Sequence, residues 1–117
     1  MTVDDQAVFR SASREVIEAT AGFEPAGEAA SGEEALRLLE AAKPQLALVD
    51  LRMPGMDGVE TARRLHAANP DLVIVLISTD DPVATSGTGA ATFARKQDYG
   101  PRLLRELWAA HGSRRLA

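Results

Sequence analysis

Residues 46–58 read Leu46-Ala47-Leu48-Val49-Asp50-Leu51-Arg52-Met53-Pro54-Gly55-Met56-Asp57-Gly58. A short apolar run closed by Pro and Gly predicts a fully buried strand, here Leu46 to Asp50. Asp50 then stands at the strand's carboxyl end, where open α/β sheets put their ligand sites. A carboxylate is costly to bury there unless a cation or a phosphate chemistry uses it.

Working outward, strand and helix patterns alternate. Val8, Phe9, Ala12, Val16 and Ile17 recur at helical spacing and predict a helix over 6–20, with these side chains inward. Phe23 to Ala29 carries a weak edge-strand pattern, since Pro25 is tolerated only at an edge. Ser31-Gly32-Glu33-Glu34 is a capping box before Ala35, Leu36, Leu38 and Leu39, and that helix stops near Lys43-Pro44. Asp57 and Glu60 open a third helix with Val59, Ala62 and Leu65 inward, which Asn69-Pro70-Asp71 breaks. Leu72 to Ile77 is apolar on both faces and reads as a central strand. Ala91 to Ala94 predicts a short last strand. Leu103, Leu104, Leu107 and Trp108 share one face of a final helix that opens near Gly100-Pro101, with Trp108 in the core.

Alternating strands and helices imply a doubly wound α/β fold, a parallel sheet with helices on both faces. Two stretches fit poorly. Only Met1-Thr2-Val3 precede Asp4, so the first strand is short. Between Pro82 and Ala90, Thr, Ser and Gly make a poor helix where alternation asks for one, which predicts an eroded helix or a loop.

The 117 residues suit one domain, and a hydrophobic content of 45% supports a core. A net charge of −4 argues against nonspecific nucleic-acid binding by this chain. No cysteine is present, which removes disulfides and thiolate metal sites and fits a cytoplasmic setting. The longest apolar run is too short to span a bilayer, and no signal-peptide pattern is visible.

In a parallel sheet every carboxyl end lies on one edge. That edge gathers Asp4, Asp5, Asp50, Ser78 and Lys96. Carboxylates in such proximity repel one another, and a hard divalent cation such as Mg²⁺ relieves the repulsion while leaving positions for phosphate oxygens. Lys96 supplies a point charge, Ser78 a hydroxyl donor, and Asp50 a nucleophile for phosphorus. Lys96 is one of two lysines beside eleven arginines; a free surface cation in this composition would more often be arginine, so Lys96 reads as functional. Asp57 reads as a helix cap with Glu60, and His66 and His111 as inert surface residues.

The chain resembles the receiver domains of bacterial two-component response regulators (the CheY-like superfamily). The matching stretches are Val3-Asp4-Asp5-Gln6, Leu48 to Gly58, Val75-Leu76-Ile77-Ser78 and Gly89 to Lys96. The resemblance implies a flavodoxin-like five-stranded sheet in order 2-1-3-4-5 and a receiver over 1–112 followed by a tail, 113–117. It implies that Asp50 is the phosphoacceptor, that Asp5 binds Mg²⁺ directly and Asp4 through water, and that Arg52 lends a backbone carbonyl. Ser78 becomes the switch hydroxyl, Phe93 the switch aromatic, and Lys96 the phosphate clasp. The donor is a histidine kinase or phosphotransfer protein, the output a contact with a downstream protein or a second copy. Catalysis is limited to the domain's own phosphorylation and dephosphorylation.

The chain departs from the family at Gln97, where Pro is usual, and in its short segment between Ser78 and Lys96. Arg52 and Asp80 hold positions that tune dephosphorylation in this family. Three other readings therefore stand beside the main one. They are a degenerate receiver acting as an adaptor, a receiver fragment of a DNA-binding regulator, and a Mg²⁺-dependent phosphohydrolase with an aspartyl nucleophile. The last usually has a second acid two residues after the nucleophile, where this chain has Arg52.

Overall fold

In a computed structural model that describes residues 1–112, the chain runs β1 (Thr2–Val3), α1 (Ala7–Glu18), β2 (Glu28–Ala29), α2 (Gly32–Ala42), β3 (Leu46–Asp50), α3 (Gly58–Ala68), β4 (Val73–Ser78), β5 (Thr92–Arg95) and α4 (Pro101–Leu107). A 3₁₀ turn, Lys96–Asp98, follows β5, and a π-helical turn, Trp108–Gly112, extends α4. The expected tail, residues 113–117, lies outside the described residues. The strands form one parallel sheet in order β2-β1-β3-β4-β5, as the resemblance implied. Among the described residues no helix is long and apolar enough to cross a membrane.

Side chains of successive strand residues point to opposite faces, so an all-apolar strand must be covered twice. Val49, Ile74 and Leu76 pack with Ala35, Leu39, Ala62 and Leu65 beneath α2 and α3. Leu48, Val75 and Ile77 pack with Leu107 and the half-buried Phe9, Tyr99 and Leu103 on the other side. Register aligns the strand tips. Asp50 lies opposite Ile77, so Ser78 projects one residue further, and Ser78 lies opposite Arg95, which places Lys96 just beyond.

The helix starts follow their caps. Ser31 Oγ accepts from the Glu34 amide at 3.1 Å, while Glu34 accepts from the Ala30 amide at 2.9 Å. Asp57 Oδ1 accepts from the Glu60 amide at 2.9 Å, the structural role read for it.

Three expectations need correction. The edge strand is only Glu28–Ala29, because Pro25 and Gly27, the latter at φ +130°, keep the preceding residues out of the ladder. In α1 the buried positions are Ser13 and Ile17, with Phe9 and Val16 half-buried; Val8 is 84% exposed and Ala12 is also exposed. Ser13 is accommodated there because its Oγ shares hydrogen bonds with Thr2 Oγ1 (2.7 Å) and Tyr99 OH (2.9 Å). A satisfied hydroxyl is tolerated in a core. Between β4 and β5 no helix forms among the described residues, one of the two outcomes the poor helix pattern predicts. Instead Thr88 donates from both its amide (3.1 Å) and its hydroxyl (2.6 Å) to the Thr85 carbonyl, closing a turn. Trp108 is half-buried and lines a cavity of about 590 Å³ with Phe23, Leu46 and Leu104, instead of sitting in the core.

These assignments make a ranking for urea denaturation. Leu65→Ala, at a fully buried position, is expected to cost about 3 kcal/mol. Ser13→Ala is expected to cost about 1 kcal/mol by leaving two hydroxyls short of a partner, and Val8→Ala to stay within about 0.5 kcal/mol. A greater loss at Val8 than at Ser13 would contradict the orientation of α1.

Candidate functional site

The first acid of the pair, Asp4, immediately follows β1 and is fully buried, while its neighbour Asp5 is exposed. Asp50 ends β3 with 6% exposure. Carboxylate oxygens of Asp4, Asp5 and Asp50 all lie within 4.8 Å of one another. The backbone forces this approach. The Asp4 amide bonds the Ala29 carbonyl at 3.0 Å, which carries the chain one residue past β1. Asp4 Oδ1 then accepts from the Gln6 amide at 2.8 Å, turning the chain into α1, and Arg10 donates to the Asp4 carbonyl at 2.7 Å. On the central strand, the Leu51 amide bonds the Ile77 carbonyl and the Gly58 amide bonds the Leu51 carbonyl, each at 2.9 Å. A Cβ at Gly58 would come within 2.2 Å of the Asp50 carbonyl oxygen, so α3 can start this close only with glycine.

Lys96 opens the turn after β5 and reaches back over the acids. Its Nζ lies 2.6 Å from Asp4 Oδ2 and 3.4 Å from Asp50 Oδ1, with the side chain 13% exposed. The ammonium also sits over the Phe9 ring, 4.4 Å from its centroid. Ser78 is buried at the tip of β4, where its Oγ accepts from the Asp80 amide at 3.1 Å and keeps its own hydrogen free to donate.

The sequence-named residues thus divide. Asp4, Asp5, Asp50 and Lys96 converge, with Ser78 on the adjoining strand tip. The Arg52 side chain is exposed and forms an ion pair with Asp80. Phe93 is half-buried on β5 and packs against the larger core. Sequence reasoning passed over Phe9 and Arg10 as site residues. Phe9 read only as one of the apolar residues of the first helix, and nothing in its spacing set it apart as a site residue.

Three carboxylates face one ammonium, so the cluster is short of positive charge. Burial, followed by the charge of Asp4, pushes the Asp50 carboxyl up from its ordinary 3.8 to about 6; Lys96 pulls it down and Asp5 adds to the rise. Asp4 Oδ2 is buried and, despite the ammonium 2.6 Å away, receives no aligned hydrogen bond. A short-handed buried oxygen beside two further carboxylates suits a hard divalent cation, with Asp4, Asp5 and Asp50 as the donor set. The arrangement offers a carboxylate nucleophile, a cation for developing charge and a hydroxyl donor, the parts phosphoryl transfer requires.

A family model described as response regulator receiver domain matches residues 1–106. The response regulator GacA of Pseudomonas aeruginosa is 33% identical over 100 residues, covering 82% of this chain and 47% of that protein. The uncharacterized transcriptional regulatory protein YhcZ of Bacillus subtilis is 37% identical over 113 residues, covering 93% of this chain and 52% of that one. The chain therefore spans about half the length of the relatives it matches. Among solved structures, the signal receiver domain of NarL from Mycobacterium tuberculosis superimposes with a TM-score of 0.81 at 29% identity, covering 95% and 93% of the two chains.

The raised Asp50 value fixes a pH dependence. An acid whose folded-state pKa exceeds its unfolded one favours folding most when protonated, so its benefit is complete below about 3.8 and lost as pH rises through about 6. In a chelator, Asp50→Asn is expected to be more stable than the parent by about 2 kcal/mol at pH 7.5, with the difference vanishing near pH 4. Thermal unfolding of both proteins across that range measures it. An equal gap at both pH values would contradict the raised Asp50 pKa.

Proposed function

The chain belongs to the response regulator receiver domain family, and from that premise we propose that Asp50 accepts a phosphoryl group in a two-component phosphorelay. The observation that carries this reading is the convergence of Asp4, Asp5 and Asp50 with Lys96 at the carboxyl edge of the sheet. A histidine kinase or phosphotransfer protein supplies the group. An Asp50 carboxylate oxygen forms the new O–P bond as the donor's N–P bond breaks, and the bonding pair returns to the imidazole nitrogen. Above its pKa of about 6, Asp50 is in the charged form that can attack.

Lys96 neutralises oxygens of the transferring group, and Ser78, buried on the adjacent strand, donates its free hydroxyl hydrogen to one of them. Asp4, Asp5 and Asp50, with the Arg52 backbone carbonyl, would hold Mg²⁺. The ion would supply the positive charge the acids lack. Ser78 and Lys96 then move toward the phosphoryl group, Phe93 turns in behind, and the face formed by β5 and α4 changes for a downstream protein or a second copy. Only its own phosphorylation and dephosphorylation are catalysed, within a receiver spanning 1–112 that works in the cytoplasm.

Two further readings have observations behind them. The loop in place of a helix between β4 and β5 favours an adaptor that is never phosphorylated. The coverage of about half of each relative favours a receiver that belongs to a longer regulator, including DNA-binding ones such as YhcZ's description as a transcriptional regulatory protein suggests.

Acetyl phosphate with Mg²⁺ is expected to add one phosphate mass to the chain. Asp50→Asn abolishes the gain, Asp5→Ala removes its metal dependence, and Lys96→Ala blunts the conformational response. Beryllofluoride with Mg²⁺, at about 100 times its dissociation constant, stabilises a working receiver by about 2.7 kcal/mol and leaves an adaptor unchanged. Unaltered labelling in Asp50→Asn refutes the assignment.

A further inference from the structure

The first turn of α1 carries Phe9 beneath the polar cluster. Its ring face lies under the Lys96 ammonium at 4.4 Å, while the same ammonium meets Asp4 at 2.6 Å and Asp50 at 3.4 Å. Lys96 is therefore seated between two carboxylates and one π face. An ammonium over a ring at this distance and with little exposure is drawn by the ring quadrupole. The ring is itself fixed. Tyr99 packs against it with centroids 5.8 Å apart and planes tilted 39°, and the Tyr99 hydroxyl is tied to Ser13, which is tied to Thr2 of β1.

Lysine is a point charge on a flexible four-carbon stem, so its position depends on what surrounds the head. The shorter contact is with Asp4, which would draw the ammonium away from Asp50. A carboxylate contact is directional and is lost when the ammonium turns to a new partner. A π face has no single acceptor atom, so the attraction persists while the head moves from Asp4 toward Asp50.

We propose that Phe9 is a positioning residue for phosphoryl transfer, a seat on which the Lys96 ammonium slides between Asp4 and a phosphoryl group at Asp50. This rests on the reading of Asp50 and Lys96 given above. Loss of the π attraction leaves Lys96 committed to Asp4 and slows transfer, although the acids and the fold are untouched.

The test places mono-, di- and trifluorinated phenylalanines at position 9 alone in the full chain. Fluorination weakens the quadrupole with little change in shape. The rate of labelling by acetyl phosphate with Mg²⁺ is measured beside the melting temperature. The rate is expected to fall stepwise to about one fifth, a loss in the range of a cation–π contact, with the melting temperature level. Phe9→Leu should match the trifluoro protein, and Phe9→Tyr should remain near the parent. Should Phe9→Leu unfold, the fluorinated series still decides. Equal rates along the series, or rates that track melting temperature, overturn the role of Phe9. A parent chain that takes no phosphoryl group overturns the reading of the site itself, and Phe9 with it.

Discussion

The structure turns on mutual repulsion among Asp4, Asp5 and Asp50, whose carboxylates approach within 4.8 Å at the carboxyl edge of the sheet. Parallel strands make such crowding easy, since every strand delivers its end to the same rim. They do not make it stable. The chain counters it with the Lys96 ammonium and with the Gln6 amide bonded to the Asp4 carboxylate, while burial, followed by the charge of Asp4, leaves the Asp50 pKa raised. A site left short of positive charge is one that a cation can bind with gain.

The same constraint accounts for local choices elsewhere. Gly58 lets α3 begin against the Asp50 carbonyl, where any Cβ would collide. Asp57 caps that helix and so turns its own carboxylate to an amide and away from the crowded rim. Arg52 and Asp80 pair with each other at the surface, which adds little to stability but ties the loop after β3 to the loop after β4 at the mouth of the site.

Much of the fold could be read before any coordinates, and for plain reasons. Leu46–Val49 and the strand through Ile77 are apolar on both faces, and a doubly covered parallel sheet accommodates such runs. Ser31 and Asp57 announce their helices because an amide must be capped wherever a helix starts. Reading failed where a residue's role depends on partners distant in sequence. Ser13 looks like a surface position on α1 until Thr2 and Tyr99 supply its hydrogen bonds, and Val8 and Ala12 face outward. Trp108 looks like core, yet the elements around it leave a cavity. At the site, the acids and Lys96 were legible because charge at strand ends needs an explanation. Phe9 was not, because an aromatic residue at helical spacing looks the same whether it faces a core or an ammonium.

The central claim is that one carboxylate among three carries the phosphoryl group, and chemical trapping locates it directly. Borohydride reduces an aspartyl phosphate to homoserine, which fragmentation mass spectrometry assigns to a position. After treatment with acetyl phosphate and Mg²⁺, homoserine is expected at position 50 and at no other. Homoserine at position 4 or 5, or none in a chain that has gained phosphate mass, would contradict the account.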